Sequence, residues 1–469
     1  MLSTLVLCPL LGVGVVLCNS NSSANLLGLC FSFVSLLISL VVWAVSHPDV
    51  QWIESLFNFQ LVVDGLSIPF ILLTTFIFPF ALLSNWSNLD FKRFSSKYFV
   101  VLMLLVEFFL LLVFTVSDLI LFYIFFESIL PPLFILIGLY GSIQRIWASF
   151  HLFLYTFLGS VWMLLAFITI YFVTGTTNWI LLWDISLDLD LQKVLWIAIF
   201  FALAVKTPLV PLHLWLPLAH AESPLGGSVV LAGIVLKLSL YGVLWILLPI
   251  LPEASIYFTP LVYTVCVITI IYSSLTTLRQ FDLKVIIAYS SIGHMALALM
   301  GAFSNTFLGL SGAVLLAVAH GLVSPALFIC VGGILYDWTH TRILNYYWGL
   351  ASYMPVFSVF FLFFSLCNIA VPLSANFLGE FLVLSGAFQW LPLLTAGACL
   401  SILLAAAYGV WLYIRIVAGS YSPYLDVLKD ISQWEFSLLL PLVGLTVLLG
   451  LKPGWILCGL YTCLTALLY

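Results

Sequence analysis

The stretch "AVKTPLVPLHLWLP", residues 204–217, places a lysine and three prolines inside a long apolar run. Proline removes a backbone hydrogen bond and its ring clashes with the preceding helical turn, so a helix that contains this stretch should be interrupted. Lys206 comes two residues before the first proline, Pro208, and Pro211 and Pro217 follow. The stretch therefore predicts a helix that breaks beside a buried cation.

The composition places this break inside a membrane. Of the 469 residues, 64% are hydrophobic and 7% are charged, and the mean hydropathy is +1.26. The runs 100–116 and 225–248 are apolar on every face, which favours membrane-spanning helices over the alternating strands of a barrel. The first apolar run, 2–18, lacks a basic flank and a cleavage site, so we expect Met1 to be the mature start.

The apolar segments predict an all-α polytopic membrane protein with about fourteen transmembrane helices. The predicted spans are centred near residues 11, 35, 74, 107, 129, 161, 204, 237, 267, 294, 320, 371, 408 and 446. This arrangement puts nine basic residues on one face of the membrane: Lys92, Arg93, Lys97, Arg145, Arg279, Lys284, Arg342, Arg415 and Lys429. Only Lys193 lies in a loop on the other face, and Lys452 is near the C-terminal end. By the positive-inside rule both termini should lie on the non-cytoplasmic or intermembrane face.

A second interruption is predicted in the twelfth span, where Pro355 and Pro372 precede "SANFLGEF". Interrupted helices five spans apart are typical of inverted-repeat transporters. The predicted segments are three N-terminal helices in 1–97, a first repeat (helices 4–8) in 98–250, a second repeat (helices 9–13) in 251–420, and a C-terminal transmembrane helix in 421–469.

Five charged residues fall at membrane depth, namely Glu107, Glu127, Lys206, Lys237 and Glu380. A charge at the centre of a bilayer costs roughly 2.5–3.5 kcal/mol, so the set indicates function, and structural ion pairs that lock helices together are the alternative. Protons cross a low-dielectric core along titratable side chains and ordered water, and an opposed Lys206 and Glu127 would form a switchable pair. His294 and His320 lie centrally in two further spans and provide intermediate stations.

Glu107, Asp118, His213 and His220 are possible supporting residues for proton transfer, and their pattern is weaker. His213 and His220 are seven residues apart, but Pro217 lies between them, so a shared helix face is not assured. Asp118 and Glu222 lie near predicted helix ends, where a solvated or capping role is expected. The nine scattered cysteines do not predict a metal or iron–sulfur site, and no nucleotide-binding glycine motif occurs. We therefore expect no redox centre in this chain, and the net charge of −5 argues against a nucleic-acid partner.

Four stretches carry a resemblance to a known family. They are "LILFYIFFESILPPLFILIGLYG" (119–141), "KTPLVPLHLWLPLAHAESPLGGSVVLAGIVLKLSLYG" (206–242), "DLKVIIAYSSIGHMALALMG" (282–301) and "AHGLVSPALF" (319–328). Over roughly residues 100–420 the chain closely resembles the antiporter-like membrane subunits of the proton-pumping NADH:ubiquinone oxidoreductase, respiratory complex I. The resemblance implies fourteen transmembrane helices, two inverted five-helix repeats, and broken helices 7 and 12.

The resemblance also implies roles for individual residues. Glu127 matches an essential carboxylate on helix 5, Lys206 its partner on broken helix 7, and Lys237 a central lysine on helix 8. His294 and His320 match a polar axis that leads toward helix 12, and Glu380 matches a carboxylate on the exit side. The sister subunits usually carry lysine at this last position, so glutamate distinguishes one subunit type from the others.

As a member of this family, the chain would have the other membrane-arm subunits, especially two sister antiporter-like subunits, accessory subunits and membrane phospholipids as partners. NAD, FMN, iron–sulfur clusters and ubiquinone would be bound by other subunits, with no cofactor in this chain. The expected location is the mitochondrial inner membrane. The alternatives are a standalone or Mrp-type cation/proton antiporter subunit, and a structural membrane spacer whose buried charges only hold helices together.

Overall fold

A computed structural model describes residues 1–46, 51–56, 59–86, 95–420, 422–425 and 429–468. Lys92 and Arg93, two residues of the predicted basic face, lie outside the described ranges. The described chain is helical apart from one short hairpin, as the apolar runs predict.

The N-terminal part contains three long helices and the hairpin. Its elements are α1 (Leu2–Cys18), α2 (Asn21–Val45), β1 (Trp52–Leu56), β2 (Phe59–Val63) and α3 (Ser67–Ser84). The strands pair antiparallel, and the terminal amine of Met1 donates a hydrogen bond of 2.7 Å to Glu54 Oε1 on β1. The hairpin is therefore tied to the start of α1.

The next part of the chain corresponds to the predicted first repeat. Its helices are α4 (Ser96–Thr115), α5 (Leu119–Ser128), α6 (Leu130–Tyr140), α7 (Arg145–Thr174), α8 (Trp179–Leu182), α9 (Leu189–Lys206), α10 (Trp215–Glu222), α11 (Leu225–Val230), α12 (Lys237–Gly242) and α13 (Leu248–Ile250). Helices α5 and α6 form one crossing. The π-helical turns Leu231–Val235 and Val243–Leu247 join α11, α12 and α13 into another crossing.

The remaining helices follow in a similar order. They are α14 (Pro252–Thr277), α15 (Leu283–Ala302), α16 (Phe307–Phe328), α17 (Tyr336–Thr339), α18 (Pro355–Asn368), α19 (Ala375–Trp390), α20 (Pro392–Ala398), α21 (Leu400–Val417), α22 (Gln433–Leu451) and α23 (Gly454–Thr465). A π-helical run, Ile329–Leu335, joins α16 to α17, and 3-10 turns occupy Leu344–Tyr346 and Leu350–Ser352.

The crossings agree with the predicted number. Eleven helices in the described chain are long and apolar enough to span a membrane. Helix α1, the interrupted pair α9/α10 and the interrupted pair α18/α19 bring the crossings to the predicted fourteen. Each predicted centre falls within one of these crossings, so the prediction of the polytopic helical fold is confirmed.

The two predicted interruptions are present. The seventh crossing loses helical structure at residues 207–214 and the twelfth at residues 369–374. Pro217 and Pro355 lie within the first turns of α10 and α18, where proline is tolerated, so they do not mark the breaks. The breaks coincide instead with Pro208, Pro211 and Pro372.

The centre of the molecule is formed by the crossings Leu225–Ile250 and Phe307–Thr339, whose most apolar windows are completely buried. The second crossing, Ser23–Val45, is mostly exposed, as expected for a helix that faces lipid. The C-terminal segment 421–469 contains the predicted helix, α22, and also a second, shorter helix, α23. Helix α23 packs on α16 and brings Gly459 close to Gly65, which precedes α3.

Candidate functional site

Lys206 is the last residue of α9 and lies directly at the break in the seventh crossing. Its side chain is 2% exposed, and its Nζ is 3.9 Å from Glu127 Oε1 on α5. The ammonium donates a hydrogen bond of 2.9 Å to the carbonyl of Phe126 and lies 3.2 Å from the centroid of the Phe126 ring. The structure therefore joins the two residues that the sequence analysis paired.

The pair is loosely bonded. Neither carboxylate oxygen of Glu127 has a hydrogen-bond partner within the described residues, and the distance of 3.9 Å exceeds that of a charge-assisted hydrogen bond. The Lys206 ammonium is held by a backbone carbonyl and an aromatic face, which do not accept a proton. Glu127 is thus the titratable group beside Lys206 that is available to exchange a proton with it.

Lys237 lies at the centre of the molecule with no exposed surface. It begins α12 directly after a π-helical turn, in which the backbone hydrogen-bond pattern is displaced. The carbonyl of Ala232 in this turn accepts a hydrogen bond of 2.5 Å from Lys237 Nζ. The same Nζ is 2.9 Å from Nδ1 of His320 on α16, so two central crossings meet through titratable side chains.

His320 continues this contact toward the twelfth crossing. Its ring lies 5.5 Å from the ring of His294 on α15, centroid to centroid. His294 Nδ1 is 2.9 Å from Glu380 Oε1 on α19, which begins directly after the second break. Lys237, His320, His294 and Glu380 therefore lie in one series, which we call the polar row; polar contacts of 2.9 Å join its two ends, and its two histidine rings are neighbours without a hydrogen bond between them.

The polar row has unused hydrogen-bonding capacity. The Nε2 atoms of His294 and His320 are buried without a partner in the described part of the chain. A cavity of about 20 Å³ adjoins His294 and Glu380 and is also lined by Ser401 and Tyr408 on α21. A cavity needs about 10–15 Å³ to hold one water molecule, so this space suffices for a water that bridges polar groups.

The pair and the row are not connected. No hydrogen bond or ion pair among the described residues links Lys206 to Lys237. The six predicted proton-transfer residues are therefore present as a pair of two and a row of four. The sequence analysis did not predict this gap.

The supporting candidates Glu107 and Asp118 lie outside the pair and the polar row. Glu107 on α4 is fully buried and accepts a hydrogen bond of 2.5 Å from Ser35 Oγ on α2, which lies outside both the pair and the polar row. Asp118 caps α5 by accepting hydrogen bonds from the backbone N–H groups of Ile120 and Leu121. The capping role that the sequence predicted for Asp118 is confirmed.

The two other histidine candidates are not brought together. His213 lies in the break before α10, where its ring meets Tyr272 and Tyr289 edge to face. His220 lies inside α10 and stacks on Phe328 with ring centroids 4.6 Å apart. Because the chain is not helical through residue 213, the seven-residue spacing does not place these rings on one helix face.

Sequence reasoning missed a charged cluster on the basic face. Lys284 is counted there as a loop charge, but the structure buries it and its Nζ donates a hydrogen bond of 3.0 Å to the carbonyl of Ser223. Arg342 Nη2 is 3.4 Å from Glu222 Oε1, and Arg342 Nε is 3.6 Å from Asp282 Oδ2. Glu222 lies at a helix end as predicted, yet it is buried in this cluster rather than solvated.

Asn376 is a further residue that the sequence analysis overlooked. Its side chain is fully buried on α19, and neither amide atom has a partner in the described ranges. It precedes Glu380 by four residues and so shares its helix face, which is the signal that could have identified it. Within the described chain, no three histidine, cysteine or carboxylate side chains are grouped as metal ligands.

Comparison with known proteins adds a family assignment to this geometry. The profile of the family described as "NADH:quinone oxidoreductase/Mrp antiporter, TM" matches residues 116–405. The chain is 48% identical to NADH-ubiquinone oxidoreductase chain 4 of Mycosarcoma maydis, with 100% of this chain and 99% of that protein covered. It is 47% identical to NADH-ubiquinone oxidoreductase chain 4 of Arabidopsis thaliana, with 96% and 94% covered.

Solved structures have the same architecture. A chain of respiratory complex I from Thermus thermophilus with bound NADH superposes with a TM-score of 0.89 at 28% identity, and each chain is covered completely. A chain of the Mrp complex from Dietzia sp. DQ12-45-1b superposes with a TM-score of 0.88, covering 100% of this chain and 99% of that one. Its identity of 19% makes this second similarity one of fold alone.

Proposed function

We propose a proton path through this chain from the premise that it belongs to the NADH:quinone oxidoreductase/Mrp antiporter family of membrane subunits. Within that family it is a proton-translocating membrane-arm subunit of the chain 4 type of NADH-ubiquinone oxidoreductase. The residues proposed to carry the protons are Glu127, Lys206, Lys237, His320, His294 and Glu380. The polar row, which brings four buried titratable side chains from three crossings and the second break together, is the observation that carries the proposal.

In this path the first half stores a proton and the second half conducts it. With Lys206 charged, the pair is attractive, and a proton that enters at Glu127 removes the counter-charge of Lys206. Lys206 then releases its own proton toward Lys237, through water or side-chain movement because no direct contact joins the two lysines, and Glu127 returns a proton to Lys206. From Lys237 the proton passes to His320, whose Nδ1 is at hydrogen-bond distance, and a water between the two imidazole rings would carry it to His294.

The exit is at the second break. His294 hands the proton to Glu380, and the adjoining cavity provides room for the water that receives it. A broken helix leaves backbone groups unpaired, and these groups hold water at membrane depth. Ser401 Oγ, which is buried without a partner among the described residues, faces this cavity and would bind such a water.

The energy source and the cofactors lie outside this chain in the proposal. The chain is a subunit of an enzyme complex, and we propose that it is a translocase component without a redox centre. Quinone reduction in other subunits, which would bind NAD, FMN, iron–sulfur clusters and ubiquinone, would drive the charge movements. The sister antiporter-like subunits, accessory subunits and phospholipids are the proposed neighbours, in the mitochondrial inner membrane.

A test of this function is substitution of Lys206 by alanine in the intact complex. We expect most proton pumping to be lost, because Glu127 would have no partner with which to exchange a proton. The measurement is proton uptake per NADH oxidised in proteoliposomes, with assembly checked by native electrophoresis. Removal of one partner of a buried ion pair costs about 3–5 kcal/mol, so Lys206→Met, which keeps the volume of the side chain, is the second variant.

Two further variants make this test sharper. Lys206→Arg should also fail, because an arginine cannot release its proton at physiological pH. Lys193→Ala is the matched control, since Lys193 is partly exposed, pairs with its neighbour Asp190 on the same helix and lies over the ring of Tyr257, far from the pair and the polar row in its contacts. Normal pumping by assembled Lys206→Met and Lys206→Arg complexes would contradict the proposed path and favour a purely structural ion pair.

A further inference from the structure

An apolar groove lies on the surface of the molecule, away from the pair and the polar row. It has a volume of about 400 Å³ and is bounded by α2, α3, α22 and α23, with α16 at its base. Nearly all of its lining side chains are aliphatic or aromatic. Because α2 and α22 are largely exposed in their apolar windows, this surface faces the membrane.

The groove has the depth of one membrane leaflet. Its outward end is at Ser46 and Gly65, and its inner end is at Leu36 on α2 and Phe76 on α3. These ends are about ten residues apart along each helix, which corresponds to roughly 15 Å at the helical rise of about 1.5 Å per residue. The hydrocarbon core of a bilayer is about 30 Å thick, so the groove ends near the midplane.

The groove is too narrow for a helix. Dividing its volume, which counts the space open to the centres of water-sized spheres, by its depth gives a cross-section of roughly 27 Å² and a width of about 6 Å. Adding a water radius of about 1.4 Å on each side gives a free width of about 9 Å, whereas a helix with side chains measures about 10–12 Å across. A single hydrocarbon chain fits, because carbon atoms in contact are about 4 Å apart. The shape therefore selects an acyl chain over a transmembrane segment of a neighbouring subunit.

The outward mouth carries a positive charge between two tryptophans. Lys452 follows α22 and lines an opening that shares Trp43, Trp455 and Gly459 with the groove. Lys452 is exposed and has no ion pair among the described residues, whereas Lys193, on the same predicted face, pairs with Asp190. Tryptophan and lysine at this depth are typical of the membrane interface, where lipid phosphates lie.

We propose that this groove binds an anionic phospholipid of the outward leaflet, with one acyl chain in the groove and its phosphate at Lys452. Moving an acyl chain from the surrounding lipid into the groove yields no hydrophobic free energy, because both environments are apolar. The apolar walls alone therefore cannot select a lipid class. The selection comes from the charge at the mouth, which favours anionic over zwitterionic head groups. The site is independent of the proposed proton path.

The test uses the intact complex in nanodiscs with a photoreactive acyl chain on either phosphatidylglycerol or phosphatidylcholine. Crosslinked peptides are identified by mass spectrometry. We expect the phosphatidylglycerol probe to label α22 and α23 at the groove, and Lys452→Gln to reduce this labelling roughly fivefold, which corresponds to the effect of one cation near the surface. Lys193→Gln is the matched control and should leave the labelling unchanged.

A second arm of the crosslinking experiment uses variants that block the groove. A Cβ atom at Gly459 or at Gly444 meets no heavy atom within 4 Å, so a side chain can leave the backbone at both positions without a clash at Cβ. Assembly of both phenylalanine variants is checked by native electrophoresis. Gly459 lines the groove and Gly444, on the exposed side of α22, does not. Gly459→Phe should abolish labelling and Gly444→Phe should retain it. Equal labelling by both lipids, unchanged labelling in Lys452→Gln or Gly459→Phe, or protein density in the groove by electron cryomicroscopy would overturn the proposal.

Discussion

Glu380 ends the polar row, and its Oε1 lies 2.9 Å from Nδ1 of His294. Glu380 is buried, and it faces a cavity with room for about one water molecule. A carboxylate in this position can accept a proton from the imidazole and pass it to water. A residue of the same shape that does not titrate would keep the helix packing but lose this step.

Substitutions at Glu380 separate these two properties. We expect Glu380→Gln to assemble normally and to pump protons roughly tenfold more slowly or worse, because general acid–base groups contribute at least that much. Glu380→Lys should retain part of the pumping if the position requires only a titratable group. The measurement is proton uptake by reconstituted complex, and equal pumping by the wild type and both variants would show a structural role.

Asp64 is a buried acid outside the membrane spans, just before α3, and it gives a pH-dependent prediction. Burial raises the pKa of its carboxyl to about 6, although the backbone N–H of Ser67 donates a hydrogen bond to its Oδ1. Its Oδ2 has no partner among the described residues. Because the folded-state pKa is above the unfolded value of 3.8, the ionised carboxylate destabilises the fold progressively from about pH 4 to about pH 6, by about 3 kcal/mol in total.

We therefore expect Asp64→Asn to raise the thermal midpoint of the purified complex at neutral pH. The stabilisation should grow from pH 5 to about pH 6.5 and then level off, because the wild-type carboxyl is fully ionised above its pKa. Asp190→Asn is the control, since Asp190 is 89% exposed. A difference between Asp64→Asn and the wild type that does not change with pH would contradict this account.

Individual charges were predictable from the sequence, but most of their partners were not. Lys206, Lys237 and Glu380 stand out because a charge inside an apolar run is rare. The contact of Lys237 with His320 depends on how two helices pack, and it cannot be read from spacing within either helix. The burial of Lys284 and the ion pairs of Arg342 were not predicted, because charges at the ends of spans are ordinarily solvated.

At the scale of elements, the two breaks differ from ordinary loops in their backbone geometry. In the second break, Ala370 and Leu373 have φ values of 62° and 78°, in the left-handed region that disfavours residues with a Cβ atom. Ser374 is the N-cap of the following helix, α19, and its side chain accepts a hydrogen bond from the N–H of Phe377. The break is thus a defined conformation with its own cap.

This geometry predicts opposite effects for the same substitution at two places. Ala370→Gly should stabilise the complex by about 1 kcal/mol, because glycine adopts a positive φ without strain. Ala407→Gly, at an exposed position within α21, should destabilise it by about 1 kcal/mol, because glycine is a poor helix former. Thermal midpoints of the two purified variants check this, and a loss of stability in both would refute it.

The helical crossings were predictable because each needs an apolar stretch of about 20 residues. The short elements were not predictable from the sequence. The hairpin Trp52–Val63 and the helix α23 bury their surfaces against distant parts of the chain, so their local sequences carry little signal. The π-helical turns around Lys237 likewise arise from tertiary packing and have no simple sequence pattern.

At the scale of the whole molecule, Arg342 connects the two halves on the basic face. It contacts Glu222 and the carbonyl of Ala221 at the end of α10, and Asp282 at the start of α15. Glu222 is bound in turn by Ser142 Oγ at 2.6 Å, before α7. One planar guanidinium therefore ties the end of α10 to the start of α15.

We expect Arg342→Lys to lower the stability of the assembled complex by about 2 kcal/mol, because one ammonium cannot make these separate contacts. Arg279→Lys, at an exposed position on the same predicted face, is the matched control. The two variants are compared by their thermal midpoints. If Arg342→Lys behaves like the control, then the guanidinium geometry does not hold the two halves together.

The unconnected space between Lys206 and Lys237 has a consequence for an energised membrane. A membrane potential drives each proton with about 2.3 kcal/mol per 100 mV, so a permanently continuous conductor would let protons return and would dissipate the gradient as heat. Within the polar row, Lys237 already contacts His320 and His294 already contacts Glu380, whereas no hydrogen bond or ion pair among the described residues links Lys206 to Lys237. In the proposed path this missing contact would act as electrical insulation at rest and would let a complex that is not turning over hold its gradient.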